Sequence, residues 1–296
     1  MSKIISREEI EKIKLIVLRA IALDDVLSET LILKGGNAIS LVYGLSDRPS
    51  YDLDFSIEDD FDDFEEVKSL LLHTLDTELS SEGYKMIDFD FDFKPHKGEV
   101  QPFWGGYNIS FKVIDLKSFN EIGQDIEVAR RAHVFRLNEK NNSSKFEIEI
   151  SRSEYFEGCT KQHEIEEEAK ILVYLPELLV AEKVRALCQS LPYYKTEILG
   201  NEKSITKARS RDLYDIDVIL SSFAIDINSP EFVSTLKKVF DIKKVPYEYA
   251  KRIDDIKDIL KADFESVKKT ITDSDVKDFD YYYNKHQERF YNIFDV

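Results

Sequence analysis

The sequence predicts an α+β protein, a mixed sheet flanked by helices and followed by an α-helical bundle. Two observations carry this. Up to about residue 150, short runs of apolar or alternating residues are interleaved with amphipathic stretches. After about Glu164 helical periodicity takes over and holds to the C-terminal end. The expected division is residues 1–165 for the sheet part and 166–296 for the helical part, with the boundary between 155 and 175.

Residues 7–27 read as one amphipathic helix, with Ile10, Ile13, Val17 and Ile21 at helical spacing and a Ser6/Glu9 capping box at its start. Residues 30–33 form a short apolar run closed by Lys34-Gly35-Gly36. Residues 37–43 are again helical in pattern and end at Gly44. Residues 51–57 alternate as a strand. An acidic stretch then leads into a helix reaching Ser80. Residues 85–93 alternate strictly, with Phe89, Phe91 and Phe93 on one face and Asp88, Asp90 and Asp92 on the other. Residues 107–113, 133–137 and 145–150 are strand-like, and the 141–144 turn predicts a hairpin between the last two. Five helical segments follow, at 178–191, 211–223, 230–240, 247–266 and 274–294. In the last, Phe279, Tyr283, Phe290 and Phe294 predict a docking face rather than a base-stacking platform.

Composition narrows the function classes. The chain of 296 residues is 43% hydrophobic and 33% charged, which describes a packed protein and not a disordered one. With 41 basic against 58 acidic residues the formal net charge is −17. A general nucleic-acid coat protein is excluded, because a polyanion would be repelled at long range. A local basic patch for a polynucleotide, or a site gathering divalent cations, is not. Cys159 and Cys188 match no metal or redox spacing, so a reduced, cytoplasmic setting is expected. Residues 1–14 lack the apolar core of a signal peptide, and the apolar stretches at 15–23 and 171–181 are too short to cross a bilayer. The five histidines, His73, His96, His133, His163 and His286, show no ligand spacing.

The chemistry concentrates on Asp52 and Asp54. Two apart on a strand, their side chains leave one face. Carboxylates held side by side repel each other unless a cation sits between them, and oxygen-only ligation favours Mg²⁺ or Mn²⁺ over zinc. Upstream, Leu31 to Ile39 reads as strand, glycine turn and helix start. Adjacent glycines let a phosphate approach the backbone, and a helix N-terminus offers it unpaired N–H donors. Gly35-Gly36 followed by the carboxylate pair therefore predicts a site for an NTP with its metal. The matching chemistry is in-line attack on the α-phosphate with departure of pyrophosphate.

Lys34-Gly-Gly-Asn-Ala-Ile, the Arg48-x-Ser50-x-Asp52-Leu-Asp54-Phe block and Arg211-Asp-Leu-Tyr-Asp215-Ile together resemble the AbiEii/AbiGii-type nucleotidyltransferases. These are toxin components of bacterial toxin–antitoxin and phage-defence systems, within the DNA polymerase β-like superfamily. The resemblance spans roughly residues 30–220. It implies a mixed-sheet nucleotidyltransferase domain, a helical domain completing the nucleotide site, and transfer of an NMP to an acceptor such as a tRNA 3′ end or a protein. A cognate antitoxin is the implied partner, with no membrane involved. By the same resemblance, Asp52, Asp54 and a third carboxylate hold metal, with Lys183 and Asp212 completing the catalytic set. Lys34, Gly35, Gly36, Ser50, Lys183 and Arg211 would hold the nucleotide. Gly36 stands where the superfamily usually carries a small hydroxyl, which removes one phosphate contact.

The third carboxylate is open between Glu147 and Glu149, which share one strand face; the family's carboxylate-Ile-Ser block matches Glu149. The Asp88/Asp90/Asp92 ladder is a rival source. Asp212 and Asp215, three apart on a helix, match the family's late acidic motif, which implies that they orient Lys183 or the acceptor; the alternative for Asp212 is that it only serves the helix N-terminal dipole. Lys195, Lys203, Lys207, Arg209 and Arg211 form the basic stretch best suited to phosphates, with Lys94, Lys97, Lys112, Arg130 and Arg131 as additions. The alternative function is a catalytically silent nucleotidyltransferase fold serving as a nucleotide-binding or sensor module.

Overall fold

The computed structural model describes residues 4–45, 50, 52–95, 101–137, 143–166, 169–200, 208–271 and 276–295. Ser6 opens α1 (Arg7–Ala22) as the capping box predicts, its Oγ accepting the Glu9 N–H at 3.2 Å. The expected single helix to residue 27 is instead two. The Asp24 carboxylate accepts the Leu27 N–H at 2.9 Å and starts α2 (Asp25–Thr30), so a strong N-cap residue breaks the helix.

Next come β1 (Ile32–Lys34) and α3 (Gly35–Asn37), which runs into a π-helical turn, Ala38–Val42. Gly44 follows with φ 63, the left-handed conformation that ends helices. The chain continues through β2 (Leu53–Ser56), α4 (Phe64–Ser81), β3 (Tyr84–Lys94), β4 (Gly106–Asp115), α5 (Leu116–Glu121) and α6 (Ile126–Ala132). Three strands close this part: β5 (Phe146–Ser151), β6 (Thr160–Glu166) and β7 (Ala169–Tyr174). Helices then dominate, from α7 (Pro176–Gln189) and a π-helical turn (Tyr194–Ile198) to α8 (Ser210–Ser222) and α9 (Pro230–Ile242). A 3₁₀ stretch (Tyr247–Ile256) leads into α10 (Lys257–Lys268), and α11 (Phe279–Phe290) is last.

Among the described residues seven strands form one mixed sheet, in the order β3-β4-β5-β2-β1-β7-β6. β2 runs parallel to β5 and β1 parallel to β7, while the remaining pairs are antiparallel. β1 and β2, which carry the glycine turn and the aspartates, are interior strands with neighbours on both edges. The β6–β7 hairpin was not visible as strands in the sequence, and it extends the sheet to Tyr174. The helices beyond it continue one apolar cluster with the sheet, through Leu179, Val184 and Leu187 of α7 and Leu213, Ile216 and Ile219 of α8.

Two strand expectations are corrected. Residues 133–137 form no strand, only an isolated bridge from Arg136 to Ile4. Both edges of β5 are already taken by β4 and β2, so the hairpin has no free edge to form on; Asn141 and Asn142 of its turn lie outside the described residues. The strict alternation of β3 also fails, at a bulge between Ile87 and Asp90 where Asp88 has φ 54. The extra residue turns Ile87 inward and Asp88 toward Lys112 and Arg130. The C-terminal aromatics dock as expected: Phe279, Tyr283 and Phe290 are buried, and Phe294 stacks on Tyr247 at 4.5 Å.

Candidate active site

Sheet register assembles the site. Lys34 of β1 lies opposite Asp54 of β2, and Asp54 opposite Glu149 of β5. Laterally paired residues share a face, so the three side chains form one row with the Asp54 carboxylate in the middle. The row continues through Asn108 of β4 to Asp92 of β3. Asp52 sits two residues before Asp54 and shares its side of the strand. Glu147 projects from β5 two residues before Glu149, as the sequence predicts.

The crowding of these carboxylates shows in their protonation. Burial, then the Glu149 charge, pushes Asp54 up to about 6, while Lys34 and Arg211 act in the opposite sense. Burial and Glu149 also raise Asp52, against Arg211, Lys14 and Lys94. Glu147 is raised by burial first and by Asp52 second. Carboxylates held this way favour a proton or a cation between them.

Gly35 makes the close packing possible. It has φ 69, and a Cβ built on it would lie 2.9 Å from Asp54 Cγ. Only glycine places the turn against the carboxylate. Ser40 Oγ donates to the Gly36 carbonyl at 3.1 Å, tying the turn to the helix that follows. The lysine that precedes the turn does not face outward. Lys34 Nζ is buried and contacts Glu182 at 2.7 Å and Glu154 at 3.3 Å. Burial alone would lower its pKa, but the two carboxylates outweigh it and the ammonium is held charged.

Lys183 on α7 is also buried, donating to Asp215 at 2.7 Å and Asp212 at 3.2 Å. The two aspartates three apart on α8 thus orient it, one of the roles open to them in the sequence. Although buried, Asp212 is held well below the usual carboxylate range by Arg209, Lys183 and Arg211. Arg211 is exposed and close enough to act on Asp52 and Asp54. Arg209 at the same helix start also acts on Asp54.

Glu149, the preferred third carboxylate, is ion-paired with Lys94. Among the described residues no three His, Cys, Asp or Glu side chains are disposed to enclose a metal ion. The donor set nevertheless fits a hard cation held by two carboxylates and completed by substrate phosphates, as Mg²⁺ commonly is. The rival ladder does not meet the site as a group, since Asp88 on the edge strand β3 is engaged by Lys112 at 2.8 Å and by Arg130 of α6. Of the basic stretch, Arg209 is paired with Asp212, while Lys203 and Lys207 lie outside the described residues, as do Arg48 and Lys97. Ser50 presents its carbonyl to Lys14.

Two groups of residues escaped the sequence reading. Lys14 and Asn37 form a buried polar link under Asp52: Lys14 Nζ donates to Asn37 Oδ1 at 3.2 Å, and Asn37 Nδ2 donates to the Asp52 carbonyl at 2.5 Å. A lysine inside the apolar stripe of α1 was the available signal. Glu154, Glu182, Arg185 and Lys243 surround Lys34 in a buried ion cluster. Glu182 and Arg185 are three apart on α7, but Lys34, Glu154 and Lys243 come from other parts of the chain, and no spacing in the sequence links them to that pair.

No helix among the described residues is long and apolar enough to cross a membrane. No curated protein matches the chain. Two Helicobacter pylori crystal structures resemble it: JHP933, with 16% identity, TM-score 0.49 and coverage of 98% of this chain and 93% of that one, and a candidate nucleotidyltransferase, with 16% identity, TM-score 0.48 and coverage of 98% and 96%. An antigenic nucleotidyltransferase-like protein from Paracoccidioides brasiliensis shows 15% identity, TM-score 0.36 and coverage of 81% and 94%. None of the three is similar enough to bear on function. The family comparison does: the model for the nucleotidyl transferase AbiEii toxins of type IV toxin–antitoxin systems matches residues 16–285. Nearly the whole chain is matched, the glycine turn and the aspartate pair included, and the protein belongs to the AbiEii nucleotidyltransferase toxin family.

Proposed function

We propose that the chain transfers an NMP from an NTP to the 3′ end of a tRNA in a Mg²⁺-dependent reaction, with Mn²⁺ as a substitute. The observation that carries this is the row of Lys34, Asp54 and Glu149, with Asp52 alongside and the Gly35 turn packed against Asp54. The acceptor hydroxyl oxygen forms a bond to the α-phosphorus as the bond to the β-phosphate oxygen breaks. Pyrophosphate leaves, and the hydroxyl proton passes to a site carboxylate. Asp52 and Asp54 would hold the divalent cation, with Glu149 as third carboxylate once its pair with Lys94 opens; when bound, the cation activates the hydroxyl and neutralises charge on the leaving pyrophosphate.

Lys183, buried but fixed by Asp212 and Asp215, and exposed Arg211 supply positive charge for the triphosphate from the helical side. Gly35, Gly36 and Ser50 shape the turn and the strand entry around it. Lys34 acts from below, its charge favouring the ionised form of Asp54. In this reading the helical part, residues 166–296, forms a second domain that completes the nucleotide site. A cognate antitoxin is the expected protein partner.

The test uses purified chain, each of the four α-³²P-labelled NTPs, Mg²⁺, and separated RNA and protein fractions of a cell extract. Label is expected in tRNA, and is expected to vanish with EDTA and with Asp52→Ala. Label confined to protein would move the acceptor to protein. No label in either fraction would overturn the reading.

A further inference from the structure

Lys14 is a buried ammonium of an unusual kind for this chain. Three other lysines are buried, and each has a carboxylate: Lys34 has Glu182 at 2.7 Å, Lys183 has Asp215 at 2.7 Å and Lys243 has Glu154 at 3.2 Å. Lys14 is 4% exposed, yet among the described residues no carboxylate forms an ion pair with it. Its donors go to neutral oxygens, the Asn37 side chain at 3.2 Å and the Ser50 carbonyl. Glu11, Asp52 and Asp54 act on its charge from beyond ion-pair distance, so its direct contacts are all neutral, and an apolar side chain of the same length would avoid the cost of burying the charge. The ammonium does something an apolar group cannot. It joins α1 to the end of α3 and to the chain entering β2, and Asn37 carries the link on to the Asp52 carbonyl at 2.5 Å. The backbone bearing Asp52 is thus held at two points, by Lys14 at Ser50 and by Asn37 at Asp52 itself.

We propose that Lys14 is a positioning residue which, through Asn37, fixes the backbone carrying Asp52 and so sets how tightly the Asp52/Asp54 pair takes a divalent cation. This rests on the nucleotidyl-transfer reading of the site. Lys14 acts through Asp52 and touches neither cation nor nucleotide. Groups that orient metal ligands from behind typically change metal affinity or activity by about 10–100-fold when removed.

The test measures Mn²⁺ binding to the chain without nucleotide, from the electron paramagnetic resonance signal of free Mn²⁺, together with melting temperature. Lys14→Met keeps the length and removes the donors. Asn37→Ala cuts the same link from its other end while leaving Lys14 in place, and serves should Lys14→Met not fold. Val17→Ala, on the same buried face of α1, is the structural control. The expected result is about tenfold weaker Mn²⁺ binding for Lys14→Met and for Asn37→Ala, and unchanged binding for Val17→Ala despite a lower melting temperature. Wild-type affinity in a folded Lys14→Met or Asn37→Ala chain would show the link to be packing only and overturn the proposal. A wild-type chain that binds no Mn²⁺ would overturn the metal reading of the site, and this proposal with it.

Discussion

Replacing Asp54 with asparagine is expected to abolish NMP transfer, by at least about a thousandfold, while making the metal-free protein more stable at neutral pH. The two effects share one cause. Burial and the neighbouring Glu149 push the Asp54 pKa up to about 6, against about 4 in an unfolded chain. The folded state therefore binds this proton more tightly than the unfolded state. Ionised Asp54 costs stability: nothing below pH ~4, an increasing amount between ~4 and ~6, and the full amount above that. Asparagine keeps the shape and cannot ionise. Its melting temperature should exceed that of the metal-free wild type by about 2–5 °C at pH 7.5 and match it near pH 4. Added Mg²⁺ should raise the melting temperature of the wild type and not of Asp54→Asn. A variant less stable than wild type at pH 7.5 would mean that Asp54 is a structural ligand rather than a crowded carboxylate.

The largest loss of stability is expected at a residue outside the aspartate pair. Glu154 is buried, and its carboxylate meets Lys243 at 3.2 Å, Lys34 at 3.3 Å and Arg185 at 3.7 Å. Although burial opposes it, these three cations hold its pKa down at about 2. Glu154→Gln removes the charge and leaves Glu182 as the neighbouring carboxylate for Lys34 and Arg185. Breaking a buried cluster by deleting one partner costs about 3–5 kcal/mol, because the remaining charges stay buried. In urea unfolding this should appear as a large fall in midpoint at pH 7. The difference from wild type should hold down to pH ~4 and shrink below it, as wild-type Glu154 itself takes up a proton. Arg130→Gln, which breaks an exposed pair with Asp88 at the sheet edge, should leave the midpoint unchanged. A Glu154→Gln midpoint equal to wild type would show that water reaches the cluster.

Sequence reasoning reached some of these features and not others for physical reasons. Asp52, Asp54 and the glycine turn were legible because strand alternation and glycine geometry are local rules, each readable within a few residues. The helices from α7 onward were legible from their long apolar periodicity, except that residues 247–266, expected as one helix, begin as the 3₁₀ stretch Tyr247–Ile256 before α10. Glu154 was not, because its partners come from β1, α7 and the end of α9, and only the fold brings them together. Lys14 lay in plain view within the apolar stripe of α1, where a charged residue is a signal in itself. The hairpin expected at 133–150 failed because pairing is decided by which sheet edges are free, a property of the whole sheet. Glu149 is favoured over Glu147 by motif, and the register places it beside Asp54, while Glu147 two residues earlier is raised by burial and then by Asp52.

The central claim is that this site moves a nucleotidyl group, and the most direct measurement compares α- and γ-³²P-labelled NTP in parallel reactions with the purified chain, Mg²⁺ and tRNA. The α label is expected to become covalently attached to the acceptor and the γ label to leave as pyrophosphate, both in wild type and neither in Asp52→Ala. Transfer of the γ label to the acceptor, or α-label transfer that survives Asp52→Ala, would contradict it.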